Sequence, residues 1–236
     1  MQLLFREDPY ARTCEAEVLA ADPAGVRLSR SVFYPMGGGQ PGDTGRLTWD
    51  GGACPIVDAR KADDAPDEVV LIPGEDAALP APGAVVQAEL DWDRRHRLMR
   101  MHTTLHLLCS LIEGDVTGGQ IGADKSRLDF NIPEQQIDKD ALTDQLNALI
   151  AADHPVSAEW ITDDELAAKP ELVRTMSVQP PSGGGRVRLI RIGDVDLQPC
   201  GGTHVASTRE IGRVRVGKVE SKGKQNRRIN VHLDDD

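Results

Sequence analysis

The chain has 236 residues, 39% of them hydrophobic and 28% charged, a globular balance that excludes disordered and fibrous classes and predicts two domains. No stretch approaches the ~20 apolar residues of a membrane span, and charged residues interrupt the first ten positions, where a signal peptide needs an apolar core, so we expect a cytoplasmic protein. The formal net charge of −11 argues against indiscriminate adhesion to nucleic acid, but it leaves a localised RNA-binding surface open.

The first third of the chain is predicted to form a small antiparallel sheet or barrel. Its β-leaning segments are short and are separated by glycine, proline and aspartate. These segments cover residues 17–19, 25–33, 46–49 and 68–72. A loop with two prolines at residues 76–83 (DAALPAPG) then indicates a nearby domain boundary. We therefore expect a β-rich, barrel-like domain over residues 1–88 and a second domain over residues 89–236.

The second domain has a helical periodicity that the first lacks. Asp91 is placed to cap a long helix over residues 92–113, and a second amphipathic helix covers residues 139–152. Thr162 and Glu165 have the spacing of a capping box, which predicts a short third helix. Strands are predicted at residues 126–131, 156–161, 187–192, 211–219 and 228–233, with a loop at residues 179–185 (QPPSGGG) before the third of them. Helices segregated from hairpin-linked strands favour an α+β fold.

Charge is distributed unevenly along the chain. Residues 1–90 hold 7 basic and 15 acidic side chains, whereas residues 186–233 hold 11 basic and 4 acidic ones. The densest basic cluster contains Arg209, Arg213, Arg215, Lys218, Lys222, Lys224, Arg227 and Arg228. Alternation along strands can align such side chains on one face, which suits a phosphate backbone. An ordinary solvated sheet face explains the same pattern, so both interpretations stay open.

Two motifs predict a metal site. His102 and His106 lie four residues apart on the long helix, so both imidazoles leave the same face. Far downstream, Cys200 and His204 flank Gly-Gly-Thr, and the two glycines allow the backbone to turn tightly around an ion. Three imidazoles and one thiolate form a ligand set that selects zinc over magnesium or calcium.

Each of these residues also has a structural interpretation. The two helical histidines can be partly buried packing residues, and Cys200 a small core thiol. Cys109, on the same helical face, is either a rival ligand or an apolar filler. Four protein ligands would make a closed, structural sphere, whereas three would leave an open catalytic position. Whether His204 completes the sphere is left open.

Taken together, six segments resemble a known family. They are FYPMGGGQPGDTG (33–45), DWDRRHRLMRMHTTLHLL (91–108), GQIGADKSRLDFN (119–131), RVRLIRIGDVDLQPCGGTHV (186–205), TREIG (208–212) and SKGKQNRRI (221–229). In this order they closely resemble the free-standing alanyl-tRNA editing proteins, the AlaX family, of the medium-length class. They equally resemble the editing domain of alanyl-tRNA synthetase, which shares its fold with the second additional domain of threonyl-tRNA synthetase.

The resemblance implies an activity and its partners. Family members hydrolyse the ester that joins serine, and sometimes glycine, to tRNA(Ala), so it implies a zinc-dependent deacylase that contacts the acceptor end of tRNA and binds neither membrane nor DNA. The zinc would either activate a water molecule or hold the amino acid. A non-catalytic tRNA-binding protein with a structural zinc is the alternative. The resemblance implies the ligand set His102, His106, Cys200 and His204.

The resemblance also suggests three further site residues. Thr103 matches the family position that contacts the serine hydroxyl, although a bond to its own helix carbonyl is the ordinary alternative. Asp196 matches an acidic position that would orient a ligand imidazole or bind the substrate ammonium group. Gln120 would face the substrate carbonyl or a water molecule.

The remaining expectations concern tRNA contacts. The Gly-Gly-Gly-Gln segment at residues 37–40 resembles a phosphate-cradling loop only superficially, because it lacks the Lys-Ser/Thr pair of a P-loop. Backbone amides there would contact tRNA phosphates or form a tight turn between domains. The residues expected to bind tRNA are Gly38, Gly39, Gln40, Arg213, Lys222, Lys224, Arg227 and Arg228.

Overall fold

The computed structural model describes residues 1–65, 67–132, 137–175 and 185–235. The chain divides into two compact units, Met1–His96 and Arg97–Asp236. The boundary proposed from sequence, after residue 88, falls inside a strand of the first unit. Within the described ranges, no helix has the length and hydropathy required to cross a bilayer.

The first unit is a closed six-stranded antiparallel barrel with two short additional strands. Its elements are β1 (Gln2–Leu3), α1 (Leu4–Glu7), β2 (Thr13–Asp22), β3 (Gly25–Leu28), β4 (Arg30–Ser31), β5 (Gly45–Trp49), β6 (Gly52–Lys61), β7 (Val69–Pro73) and β8 (Val85–Leu90). The barrel closes in the order β2-β3-β7-β6-β5-β8, while β1 pairs with β4 in parallel. Closure leaves no free edge among the six barrel strands. The predicted barrel-like domain is confirmed.

Side-chain alternation explains the barrel. In β2, Cys14, Ala16 and Val18 are buried while the residues between them are exposed, the period of two that one-sided burial demands. Opposite them on β8, Ala88 and Val86 are buried in register with Cys14 and Ala16. The inward residues of the remaining strands include Val26, Leu28, Leu47, Cys54, Ile56, Leu71 and Leu90. The loop at residues 76–83 joins β7 to β8 inside this unit.

A buried ion pair also ties the first unit together. Arg95, with 0% of its surface exposed, donates to both carboxylate oxygens of Asp43 and, at 2.8 Å, to the carbonyl of Val32. Asp43 in turn accepts from the backbone N–H of Tyr34 at 2.6 Å. A buried pair is tolerated when further hydrogen bonds satisfy each partner, as they do here.

The second unit is α+β, as predicted. Its elements are α2 (Trp92–Leu111, which begins in the first unit), β9 (Asp115–Gln120), β10 (Lys125–Asn131), α3 (Lys139–Ala151), β11 (Val156–Ile161), α4 (Asp163–Ala167), β12 (Val187–Ile192), β13 (Asp196–Pro199), β14 (Val214–Ser221) and β15 (Asn226–Leu233). Two antiparallel sheets form, in the orders β14-β15-β10-β9 and β11-β12-β13. Two short 3₁₀ helices, Pro170–Leu172 and Thr208–Ile211, complete the unit.

Helix α2 is buried on all sides at its centre. Asp91 caps its first turn, since its carboxylate accepts from the backbone N–H of Arg94 at 3.1 Å, as predicted. Every residue from 101 to 109 is buried, polar and apolar alike. A helix surrounded in this way lacks a polar face, and its histidines must therefore find partners inside the protein.

The cap predicted for the short helix α4 is confirmed. Thr162 and Glu165 form the expected capping box of α4, and α3 ends one residue before its predicted end. The predicted strand 211–219 begins three residues late, because the segment before it forms a 3₁₀ helix capped by Ser207 and Glu210. Strands β6, β8, β9 and β13 were not predicted. The predicted loop at residues 179–185 lies outside the described residues except for Gly185.

Candidate metal centre and its surroundings

Four side chains converge at the centre of the second unit. His102 and His106 come from the middle of α2, and Cys200 and His204 come from the segment that follows β13. Cys200 Sγ lies 3.4 Å from His102 Nε2 and 3.3 Å from His204 Nε2. One ligand atom from each of the four residues lies within 4.8 Å of the others. The four residues expected to hold a metal are thus brought together.

This arrangement fits a metal ion. Ligand atoms arranged tetrahedrally around zinc, with bonds of 2.0–2.3 Å, lie about 3.5 Å apart, close to the observed sulfur–nitrogen separations. One thiolate and three imidazoles are also the donors that zinc-type ions prefer to carboxylate oxygen. The three imidazoles are buried and Cys200 is half-buried, so the cluster reaches solvent on the side of Cys200 and the exposed Gly201.

The electrostatic surroundings shift the pKa values of Cys200 and His204 toward the forms that bind metal. Burial alone would raise the pKa of the Cys200 thiol, but His102 and His204 hold that pKa well below its ordinary value, so the thiolate is favoured. Burial and the neighbouring His102 hold the pKa of His204 well below its ordinary value, which keeps that imidazole neutral. A thiolate and a neutral imidazole are the ligand forms that bind metal.

His106 is oriented by a carboxylate. Its Nδ1–H donates to Asp196 Oδ2 at 2.8 Å, and the other oxygen of Asp196 accepts from Gln198 Nε2 at 2.7 Å. Burial alone would lower the pKa of His106, but the bond to Asp196 and the nearby Cys200 raise this pKa to about 10. Of the two roles considered for Asp196, the geometry supports the orientation of a ligand imidazole. Gln198 was not identified from sequence.

His204 is oriented by Thr103. The Thr103 hydroxyl donates to the carbonyl of Met99 at 3.0 Å and lies 3.1 Å from His204 Nδ1, whose hydrogen it accepts when Nε2 faces Cys200. Thr103 is 0% exposed. The expected contact of this hydroxyl with a serine substrate stays a prediction; in the structure the hydroxyl contacts Met99 and His204.

A buried arginine holds the segment that carries Cys200. Arg188 Nη1 donates to the carbonyls of Cys200 at 3.1 Å and Gly202 at 2.8 Å, and the amide of Gly202 lies 3.4 Å from Cys200 Sγ. Neither Gly201 nor Gly202 has a positive φ, and a Cβ added at Gly201 would meet nothing within 4 Å. Neither glycine is therefore required by a positive φ, Gly201 has room for a side chain, and hydrogen bonds help to shape this turn. The role of Arg188 was not predicted from the sequence, because a single arginine in a strand belongs to no recognisable motif.

Cys109 behaves as an apolar filler. It is 5% exposed and lies outside the four-residue cluster. Burial and the nearby Asp196 carboxylate raise the pKa of its thiol to about 12, so the thiol stays protonated. A protonated thiol is a poor metal ligand, which leaves the cluster with four donors.

Gln120 stands at the exposed end of β9. Its side-chain oxygen accepts from Arg127 Nε at 3.3 Å, across the pair of β9 with β10. The structure thus shows Gln120 bonded to a sheet neighbour, and the described contacts do not include the four ligands.

The glycine-rich segment of the first unit forms a tight turn. Gly37 and Gln40 exchange backbone hydrogen bonds at 3.0 Å, and Gly38 and Gly39 between them both have positive φ, the requirement of a type I′ turn. Gln40 is 0% exposed. A side chain without exposed surface does not meet RNA from solvent, so we do not carry Gln40 into the proposed interface. At Gly42, a Cβ would lie 2.1 Å from a backbone oxygen, so close packing accounts for that glycine.

Part of the basic cluster is engaged within the sheet. Arg228 donates to both oxygens of Asp129 at 2.8 and 2.9 Å, and Arg127 also donates to Asp129 at 2.9 Å. Lys222 pairs with Glu220 at 3.1 Å. Arg228 thus acts as a cross-strand partner, since it faces Asp129 directly in register.

The remaining basic residues are more available. Arg213 and Lys224 are exposed and show no ion pair within the described ranges. Arg227 is half-buried and donates to backbone carbonyls of its own hairpin at 3.2 Å. Lys222 and Lys224 lie in or beside the exposed turn between β14 and β15, where a phosphate can approach.

Comparison with known proteins identifies the family. Residues 187–230 match the model of the threonyl and alanyl tRNA synthetase second additional domain. Alanyl-tRNA editing proteins AlaX-M of Methanosarcina acetivorans and Methanosarcina barkeri are 36% and 38% identical, covering 97% and 99% of this chain and of their own lengths. The alanine–tRNA ligase of Pyrobaculum arsenaticum is 35% identical over 92% of this chain but 25% of the ligase. The resemblance found in the sequence is confirmed, and the chain belongs to the family of alanyl-tRNA editing proteins.

Proposed function

We propose that the protein hydrolyses the ester of mischarged tRNA(Ala) in trans, acting on seryl-tRNA and also on glycyl-tRNA while sparing alanyl-tRNA. The single observation that carries the proposal is the convergence of His102, His106, Cys200 and His204 on one point. Full-length relatives named as alanyl-tRNA editing proteins supply the substrate class.

A separate hydrolytic site has a physical reason. A pocket shaped for alanine cannot strongly reject glycine, which is smaller, or serine, which adds one hydroxyl group. Discrimination must therefore be repeated at a second site that recognises the wrong amino acid. A hydrogen bond to the serine hydroxyl in a dry pocket contributes on the order of 1 kcal/mol.

We propose that zinc occupies the centre, held by the four residues of the cluster. When bound, zinc supplies a Lewis acid that can position and polarise the aminoacyl group. Asp196 fixes the ring of His106, and Thr103 fixes the ring of His204. Arg188 holds the Cys200 turn.

Among the residues that the structure describes around the cluster, Asp196 is the carboxylate in contact with a ligand, and it is not free to act as a base. Both oxygens of Asp196 already accept hydrogen bonds, from His106 and Gln198, so proton abstraction by Asp196 would break the orientation of a ligand. We therefore assign Asp196 and Thr103 to positioning. As the water oxygen bonds to the acyl carbon and the ester bond breaks, the proton of the water would be relayed through the neighbouring terminal hydroxyl of the tRNA to the departing ribose oxygen, which leaves as a free hydroxyl.

The tRNA backbone is proposed to meet the basic side chains near the β14–β15 turn. Lys222, Lys224 and Arg227 present cationic groups there, and Arg213 adds an exposed one at the other end of β14, whereas Arg228 is committed to Asp129. The acidic first ninety residues would direct a polyanion toward this end of the chain. Gly38 and Gly39 could add backbone contacts from their exposed turn, and Gln120 a polar contact near the substrate.

The test compares three substrates on one preparation. Seryl-, glycyl- and alanyl-tRNA(Ala) are incubated with protein whose metal content has been measured. We expect rapid hydrolysis of the first two and little of the third, loss of activity after chelation and recovery with one equivalent of Zn²⁺. Cys200→Ser should lose both metal and turnover, while Lys61→Ala, an exposed change in the first unit, should retain both.

The alternative is a tRNA-binding protein with a structural zinc. Four protein donors favour it, because a complete four-ligand sphere is typical of structural sites. Stoichiometric zinc together with tight tRNA binding, but no hydrolysis of any of the three substrates, would support this alternative and contradict the deacylase.

A further inference from the structure

Trp160 is an unusual residue on the second unit. The chain has eight aromatic residues, all at described positions, and Trp160 is the one that the structure exposes, at 47%. It lies near the end of β11, a strand that pairs with β12 on one side. A single exposed apolar side chain is ordinary by itself, so the meaning of Trp160 depends on what lies beside it.

Strand register places Trp160 on the face that carries the metal centre. Trp160 lies directly opposite Arg188, and residues directly opposite one another share a face. The same face carries Asp196, which contacts His106, and Gln198, which contacts Asp196. Trp160 therefore stands on the side of the sheet from which the ligands are supported.

The distance to the metal centre follows from the strand spacing. The amide of Cys200 donates to the carbonyl of Arg188 at 3.0 Å, which continues the pairing of β12 with β13. Trp160, Arg188 and Cys200 thus form one row across three neighbouring chain segments. Two strand spacings separate the ends of this row, about 10 Å.

This face is covered near the metal and open near Trp160. On β12 and β13, Ile190 and Gln198 are buried, whereas on β11 Ala158 and Trp160 are exposed. The cluster itself reaches solvent on the side of Cys200 and Gly201, at the other end of the same row. A ligand that reaches the cluster from this side passes the open margin of the sheet.

We propose that the terminal nucleobase of the tRNA acceptor end stacks on Trp160 while the ester lies at the metal centre. The base and the ester belong to the same ribose, so a flat apolar surface about two strand spacings from the cluster lies within reach of that base. An indole ring is suited to it, because stacking on aromatic side chains accepts any base without hydrogen-bond readout. This inference rests on the proposed function for its ligand.

The kinetic test uses the full chain loaded with zinc. With seryl-tRNA(Ala), Trp160→Ala should raise KM on the order of tenfold, with kcat and zinc content near those of the unaltered protein. Trp160→Phe keeps a stacking ring and should keep KM. Trp49→Phe, a half-buried residue of the first unit, is the matched control. An unchanged KM in Trp160→Ala, or a KM raised equally in Trp160→Phe, overturns the inference.

A binding test separates this inference from the deacylase proposal. Uncharged acceptor-stem minihelices ending in CCA and in CC are titrated with each variant. The unaltered protein should prefer the CCA end, and Trp160→Ala should lose that preference. If the unaltered protein hydrolyses seryl-tRNA but the variant keeps its preference, the inference alone fails. If no hydrolysis occurs, the deacylase proposal fails. The inference about Trp160 is then decided by whether Trp160→Ala loses the preference for the CCA end. A variant that changes oligomeric state and keeps the preference assigns Trp160 to a contact between copies and overturns the inference.

Discussion

At the scale of single residues, the centre depends on the partners of its ligands. His106 is held by Asp196 and His204 by Thr103, so each ring has one nitrogen fixed while the other is available to a metal. A ligand whose orientation is fixed in advance loses less entropy when the metal binds. Two side chains that resemble catalytic groups in the sequence therefore act on the ligands.

Replacing Thr103 by valine tests this role. Valine keeps the shape of the side chain and removes the hydroxyl, so His204 Nδ1 loses its buried partner. We expect zinc affinity to fall about tenfold or more, as for other partners of ligand histidines, with the preference for seryl- over alanyl-tRNA unchanged. Competition with a chromophoric chelator measures the affinity. Normal affinity with lost discrimination would instead restore Thr103 as a substrate contact.

The pH dependence of metal binding follows from His106. Cys200 favours the thiolate form, and His204 favours the neutral imidazole. The pKa of His106, in contrast, is raised to about 10. In the metal-free protein the His106 ring therefore holds a proton that a metal ion must displace. At pH values below this raised pKa, His106 is protonated and the proton competes with the metal. Zinc affinity should therefore rise about tenfold per pH unit from neutral pH toward 10.

Asp196→Asn provides the control for this prediction. It removes the carboxylate that raises the pKa of His106, so the affinity of the variant should depend less steeply on pH, although it is weaker overall. Chelator competition at several pH values measures both proteins. Equal slopes for the two would show that His106 is not the proton-releasing ligand.

At the scale of elements, helix α2 is defined at both ends by side chains. Asp91 satisfies its first turn, and Arg174 donates to the carbonyls of Cys109 and Ile112 at its end. Carbonyls of the last helical turn lack partners within the helix, and a cation there also interacts favourably with the helix dipole. Both ends of the helix that carries two ligands are thus held in place.

Removing the side chain of Arg174 tests whether its hydrogen bonds to the end of helix α2 stabilise the protein. Arg174→Ala leaves partly buried carbonyls without a donor, and we expect a loss of about 2 kcal/mol in the free energy of unfolding. Arg191→Ala removes an exposed ion pair with Glu159 and is the control, with an expected change below about 1 kcal/mol. Denaturant titration measures both. Equal losses would argue against the capping role.

The β14–β15 turn should contribute electrostatically to tRNA binding. Lys222→Ala with Lys224→Ala removes two exposed cations beside this turn. If both meet phosphates, the slope of log affinity against log salt should fall by about 1 for each lost contact. Arg6→Ala, an exposed change elsewhere in the first unit, should leave the slope unchanged. A double variant with the original slope would place the tRNA elsewhere.

At the scale of the whole molecule, the centre links distant parts of one unit. His102 and Cys200 lie 98 positions apart in the chain yet 3.4 Å apart at the cluster. A metal held between them crosslinks the second unit, and it stabilises the folded state in proportion to the free metal relative to its dissociation constant. All four ligands lie in the second unit.

Metal removal should therefore act on one unit. Hydrogen exchange of zinc-loaded and chelated protein should show faster exchange after chelation in residues 97–111 and in β12 and β13. Exchange in the barrel strands β2 and β6 should stay the same, because they hold no ligand. A similar loss of protection in both units would show that the two unfold together and would contradict this expectation.

Local patterns predicted several features of the fold. The capping box of α4, the long helix and the strand at residues 187–192 depend on neighbouring residues, so spacing alone revealed them. Strands β6 and β9 were missed because a proline interrupts the first and two glycines the second, both weak strand signals. Their pairing with neighbouring strands overrides that propensity.

The sequence by itself predicted the four residues that the structure clusters, because helical spacing and a Cys-x₃-His motif are local facts, and it determined the family through ordered motifs. The tertiary structure alone decided that Thr103 contacts His204 and Asp196 contacts His106, that Gln40 is buried and that Trp160 shares a face with Asp196 and Gln198. The physical reason is that hydrogen-bond partners and burial depend on segments far apart in the chain, whose meeting is specified by packing and strand register.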